Sequence, residues 1–336
     1  MKKIVISGLI LSCFVLNGFS NLNDVIWIGG TGNWMVSGNW SNSVYCGWNI
    51  PGWVSGNSSN IWDSTDSGWN LGEAIISSGT VQITSSSAPD GEIESMKLAG
   101  ASNPSLGISA DVTLNGLHIG REEGPGQISQ TAGNVKFLSG TAVHIGRNSE
   151  GTYNLSGGTL THESTSAAAT RTYIGVYDGG KGVFNQTGGT FIKNGTVQQN
   201  IYVGYKDGSE GILNLSGGDF KLQVGDILSF GEILGSKGEL NLSGTANLLV
   251  GDGTAMPAAD EPTNGWGIIS AGRHGRGVIR QTGGSFEGNY LKVAEYSDGF
   301  GSYMLSGGSL DLHAYLYLVM LELILGLVDQ ILTILR

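Results

Sequence analysis

The stretch "YNLSGGTL" at residues 153–160 returns as "FNQTGGTF" from 184, "LNLSGGDF" from 213, "IRQTGGSF" from 279 and "YMLSGGSL" from 303. A chain that repeats one short alternation closed by paired glycines reads as a stack of like units, each too small to bury its apolar face alone. The Ser or Thr before the glycines marks seven units: Thr131, Ser156, Thr187, Ser216, Ser243, Thr282 and Ser306. The glycine anchors beside them are Gly133, Gly157, Gly188, Gly217, Gly244, Gly283 and Gly307. A second anchor, an apolar residue followed by glycine, lies upstream at Gly120, Gly146, Gly175, Gly204, Gly231 and Gly272, and degenerates to Ala294 in the last unit. The distance from upstream anchor to Ser/Thr is 10 to 12 residues, whereas successive Ser/Thr anchors are 24 to 39 apart. One unit is therefore a core of fixed length plus a connection of variable length.

Within a unit the apolar residues alternate with polar ones, as Tyr153 and Leu155 do, which is the period of a strand. "DGG", "DGS" and "SDG" at 178, 207 and 297 supply turns. Corners need positive φ or close backbone approach between stacked layers, and glycine meets both demands. Its abundance, 57 of 336 residues against roughly 7% in ordinary chains, follows from that need. The predicted fold is all-β, a right-handed parallel β-helix (β-solenoid) of about seven or more coils over residues 76–312. An insertion at 251–266 accounts for the longest gap. Leu precedes every Ser anchor and Gln every Thr anchor. Two ancestral subtypes explain this pairing; so does a Gln that bonds backbone where Leu would pack.

The N-terminus, "MKKIVISGLILSCFVLNGFS", combines Lys2 and Lys3 with an apolar run and small residues at Gly18 and Ser20. It reads as a signal peptide over 1–20 cleaved near Ser20; an N-terminal anchor is the alternative. Cys46 would then be the one cysteine left, so no disulfide pair staples the mature chain. Residues 21–75 form a Trp/Gly-rich region expected to cap the solenoid, with sugar stacking as the rival role for its tryptophans. Residues 313–336 are an apolar tail of aberrant composition. A reading one base out of frame from residue 319 would restore small, polar, repeat-like residues. The tail is therefore expected to be frameshifted, with an amphipathic helix as the alternative. Glu322 and Asp329 argue against a membrane span.

The unit "Y(I/V)G…N-(L/Q)-(S/T)-G-G" resembles the repeat shared by type V secretion (autotransporter) passengers and PEP-CTERM-associated exported proteins. "WIGGTGNWMVSGNWS" resembles the opening of such proteins, through Trp27, Gly29, Gly30, Gly32, Trp34, Asn39 and Trp40. The resemblance implies an exported β-helix displayed at the outer membrane surface or outside the cell. It implies no catalytic residues, because the repeat is a scaffold motif. The expected function is non-enzymatic: adhesion, surface display or extracellular matrix, with polysaccharide or matrix as partner and no cofactor. The alternative is a carbohydrate-active β-helix enzyme, a polysaccharide lyase or hydrolase.

An enzyme of that kind needs charged groups converging on one groove. The candidates are Arg121, Glu122, Glu123, Arg147, Glu150, Lys206, Asp207, Glu210, Arg273 and His274, read more simply as solvated turn residues. His118 and His144 share a register and would face each other on adjacent coils, a poor metal site without carboxylate or thiolate ligands. A net charge of −11 with no Lys/Arg cluster excludes nucleic acid as a partner. Asn-x-Ser/Thr at Asn39, Asn154, Asn185, Asn214 and Asn241 reads as chance in a Ser/Thr-rich repeat.

Overall fold

The alternation and the glycine corners build a stack of three-sided coils. The computed structural model describes residues 25–28, 30–33, 40–42, 74–84, 96–138, 142–164, 171–195, 200–222, 227–251 and 267–318. Among these residues every regular element is a β-strand. The signal peptide, most of the Trp-rich region, residues 252–266 of the insertion and the segment 319–336 lie outside them.

Each coil contributes one strand to each of three parallel sheets. The unit containing "YNLSGGTL" is representative. Val143–Ile145 lies in the first sheet, Glu150–Leu155 in the second and Thr159–Ser164 in the third. The next unit repeats the path with Thr172–Ile174, Lys181–Gln186 and Thr190–Gly195, each paired in parallel with its predecessor. The first sheet is eleven strands deep, from Val25–Trp27 to the end of Phe300–Leu318, and the third is eight deep. At the N-terminal end Trp40–Asn42 runs antiparallel to Val25–Trp27 and closes the edge of the first sheet, where a bare ladder would invite pairing with another chain. Parallel pairing continues past residue 312, up to Val293 with Leu318.

Two corners of each coil keep nearly constant length. The third does not: the path from the third sheet to the first runs from Phe137 to Val143, Leu222 to Ile227 and Val250 to Ile268. Most of the loose outer spacing of the sequence is located there, with a smaller variation at the first corner, as between Ile145 to Glu150 and Ile174 to Lys181.

One core fills the interior. Its columns run across coils, such as Tyr153–Phe184–Leu213–Leu240–Ile279 and Leu160–Phe191–Phe220–Leu248–Phe286. Burying each such side chain contributes about 1.5–3 kcal/mol, and only because a neighbouring coil lies on either side. Trp27 belongs to this core at 1% exposure and donates its indole N–H to the Gly30 carbonyl.

Both glycines of a pair meet close approach from the preceding coil, and the second also bends the chain. In "SGG" the second glycine, Gly158, takes φ of 76°, and the first, Gly157, does not take a left-handed φ. Gly157 is needed for space, since a Cβ there would collide with the carbonyl of Thr131 on the preceding coil. The first glycine of each pair, the anchor chosen from sequence, is thus a close-approach residue without the bend, except where a single glycine such as Gly133 or Gly244 bends the chain. At the other anchor the bend always follows the sequence: Gly175 has φ of 75°, and Ala294, which replaces glycine in the last unit, is still held at 55°.

The Leu/Gln alternation has a structural cause. Gln130, Gln186 and Gln281 are fully buried, and each donates its side-chain amide to two carbonyls. The acceptors of Gln130 are Gly133 and, one coil on, Thr159. Gln186 uses Gly189 and Asp219, and Gln281 uses Gly284 and Ser309. Tyr153 donates its hydroxyl to Gln130 Oε1 at 2.7 Å and Tyr303 donates to Gln281 Oε1 at 2.6 Å. The equivalent residue after Gln186 is Leu213, and Gln186 Oε1 has no partner.

Candidate functional site

The outer surface shows what each charged and polar candidate does. Glu150 and Glu210 open second-sheet strands and stand in one column with Lys181 and Lys237. The charges alternate along it, with Lys237 Nζ 2.7 Å from Glu210 and Lys181 Nζ 3.8 Å from Glu150. The lysine contact holds the Glu210 carboxyl below its usual range. Beside this column, Asn154, Asn185, Asn214 and Asn241 form an amide ladder in which the last three each donate to the preceding Asn side-chain oxygen at 2.8–2.9 Å and Asn154 donates to the Ile128 carbonyl. Their nitrogens are engaged as donors, which gives the recurring Asn-x-Ser/Thr a structural role.

The corner after the first sheet carries the remaining candidates. Arg121 contacts Glu122, and Glu123 takes the ammonium of Lys97. Arg273 bridges Glu232 at 2.7 Å and Glu295 at 3.4 Å. Both carboxylates are nearly enclosed and also accept from Ser229 and Ser270. Lys292 completes the group at 2.9 Å from Glu295. These paired acids raise the Arg273 pKa even though burial opposes it. His274 stacks on Tyr296 at 4.2 Å and contacts Asp298. Asp207 is exposed. The candidates therefore form separate pairs along the rod, and the one place where two carboxylates meet is neutralised by Arg273 and Lys292.

His118 and His144 do face each other, with Nδ1 to Nδ1 at 2.8 Å, so one ring donates to the other. Burial, then the charges of neighbouring cations including Arg121 and Arg147, push their pKa values down to about 2 and about 3. Both rings are neutral at pH 7. Among the described residues no group of three or more His, Cys, Asp or Glu converges. The nearby arginines would oppose a metal cation.

The same outward column continues from His144 to Tyr173 and Tyr202, which stack at 5.4 Å. Tyr205 lies against both, at 4.9 and 4.8 Å. Tyr177 projects beside them, 37% exposed. Three cations frame the tyrosines. Arg147 lies over Tyr177, Lys206 over Tyr205, and Arg171 donates to the Tyr173 hydroxyl. None has a carboxylate at ion-pair distance among the described residues, whereas nine other lysines and arginines do. Arg147 Nε is in addition a buried donor without a partner. Tyr173 and Tyr202 are themselves buried, at 9% and 6% exposure, and pack with Val176, Ala142 and Tyr205 as a small cluster outside the main core, so the rings this corner offers to solvent are Tyr177 and, in part, Tyr205. The corner's signal in the sequence is the first residue of "YIG" and "YVG", which the alternation turns outward while the following Ile or Val turns in.

Two polar residues point into the core. His162 pairs with Thr172 at 2.8 Å, and Lys193 occupies the equivalent inward position one coil later, fully buried. Of the N-terminal motif, Trp34, Gly29 and Asn39 lie outside the described residues. Gly30 and Gly32 lie in or beside the first second-sheet strand, Thr31–Asn33.

The architecture defines the class: an all-β chain of parallel strands wound as a β-solenoid. No protein-family model, curated protein or solved structure matches the chain.

Proposed function

We propose that the chain is an exported, non-enzymatic surface protein, a rigid repeat scaffold serving adhesion, display or an extracellular matrix. The observation that carries this reading is the distribution of its polar groups. Ion pairs and amide ladders recur coil after coil and link neighbouring layers, which suits a rod that holds its surface fixed. Catalysis by a polysaccharide lyase or hydrolase would need an acid and a base free to face one substrate atom. Glu150, Glu210, Glu232 and Glu295 are each engaged by a cation instead. The N-terminal export signal and the resemblance to autotransporter and PEP-CTERM-associated repeats support the extracellular setting.

Expression of the gene with a C-terminally neutral epitope tag, followed by cell fractionation and protease treatment of intact cells, tests the reading. The expected result is mature protein beginning after Ser20 and accessible at the surface or in the medium. Retention in the cytosol with the first 20 residues intact would sink it. Release of reducing or unsaturated ends from a panel of polysaccharides would replace it with the enzyme reading.

A further inference from the structure

The structure assigns to the corner built by Arg147, Arg171, Tyr173, Tyr177, Tyr205 and Lys206 the binding of an acidic polysaccharide chain. The inference rests on the surface role proposed above for its setting, though its chemistry stands on the geometry alone.

Three observations carry it. First, among the described residues Arg147, Arg171 and Lys206 have no carboxylate at ion-pair distance, whereas nine other lysines and arginines do, in a chain that is acidic as a whole. Outside the core, the other described exception, Arg276, covers Phe300. Second, the cations lie on or beside tyrosine rings. An aromatic ring beside a cation suits a pyranose that carries an acid: the apolar C–H face stacks and the carboxylate or sulfate meets the charge. Third, the dimensions fit a thin polymer. Arg147 and Lys206 sit two coils apart, about 10 Å at the strand spacing of a sheet, a span comparable to one disaccharide.

A single-stranded nucleic acid would also use stacking and cations. Two features favour the polysaccharide. The chain as a whole carries −11, which repels a polymer charged at every residue. The available cations number three, enough for sparse charge along a sugar chain.

The test is binding of the full mature chain, by calorimetry, to a hyaluronan oligosaccharide and to a κ-carrageenan oligosaccharide, whose carboxylate or sulfate recurs only on alternate sugars. Neutral cello-oligosaccharide and oligo-dT serve as comparators. Acidic sugars are expected to bind and neutral ones to bind at least tenfold more weakly, with affinity falling as salt rises. Arg147→Ala and Lys206→Ala should each weaken binding about tenfold. Tyr177→Ala, at an exposed position that leaves the core untouched, should weaken it about fivefold. Lys237→Ala on the second sheet should change nothing. Equal binding of neutral sugar, tighter binding of oligo-dT, or full affinity in the Arg147→Ala/Lys206→Ala pair with an unchanged melting curve would each overturn the inference. A surface-exposed protein that binds none of the sugars overturns this inference and leaves the proposed function standing. A cytosolic protein that binds them does the reverse.

Discussion

Replacing each buried glutamine by the leucine that other coils carry at the same place separates what those glutamines do. Gln130→Leu removes two amide bonds to carbonyls and the acceptor of the Tyr153 hydroxyl. Gln186→Leu removes two equivalent amide bonds, but no tyrosine depends on it, and it also deletes an Oε1 that has no partner. The cost of the carbonyls is common to both and cancels in the comparison. The difference is one buried phenol stranded in the first case and one stranded oxygen removed in the second. Each is worth about 1–3 kcal/mol, so Gln130→Leu should exceed Gln186→Leu by about 2–6 kcal/mol. Tyr153→Phe should cost about 1–2 kcal/mol, because it recreates at Gln130 the situation already present at Gln186. Stability in a repeat array is a sum of local terms, so the fitting assay is native-state hydrogen exchange read on peptides spanning 126–137 and 150–164, compared with 181–195 and 210–222. Equal destabilisation by the two Gln→Leu changes would refute the reasoning, as would a silent Tyr153→Phe.

Ala294→Gly should stabilise the last coil by about 0.5–1 kcal/mol, since relief of a left-handed φ outweighs the entropy glycine adds to the unfolded chain; thermal melting reads it. Gly175→Ala should destabilise by more than about 2 kcal/mol, because the new Cβ collides with the Glu210 carbonyl as well as straining the bend. His118 and His144 have folded pKa values below the unfolded 6.5, so the unfolded chain binds more protons between about pH 3 and 6.5. Stability therefore rises with pH through that window and is flat above it. Imidazole NMR shifts should stay those of the neutral ring at pH 5, and a midpoint near 6.5 would contradict the buried pair. Arg273→Met should cost about 3 kcal/mol by stranding Glu232 and Glu295, measured by urea melting. Restoring that loss with Glu232→Gln in the same chain would confirm the source.

Much of this fold could be read before any coordinates, because its requirements are local. The bend at Gly120, Gly146 or Gly175 and the in-out alternation after it are properties of a few consecutive residues. The requirements that escaped notice connect one coil to the next. Gln130 looked like a variant of Leu155 because its explanation, Tyr153, stands 23 residues later. Gly157 and Gly158 look alike in sequence, yet both are crowded by the preceding coil and only Gly158 is also bent. The tyrosine corner was hidden for a similar reason. Tyr173 and Tyr202 were counted as members of an apolar anchor, while the cations that frame them come from neighbouring turns. The tryptophans, which drew attention as a possible sugar platform, lie mostly outside the described residues, and Trp27 is packed in the core.

The unequal corners have a consequence for how such a chain can change over generations. Residues gained or lost between the third and first sheets shift nothing else, since every strand after them resumes its column. The first-to-second corner accepts only small changes, as Ile145 to Glu150 against Ile174 to Lys181 shows, and the second-to-third corner, packed glycine on glycine, holds an almost fixed length. Variation is thereby channelled to one edge of the rod. Lineages can diversify what that edge presents, as the path from Val250 to Ile268 already does, while the stack beneath is inherited unaltered.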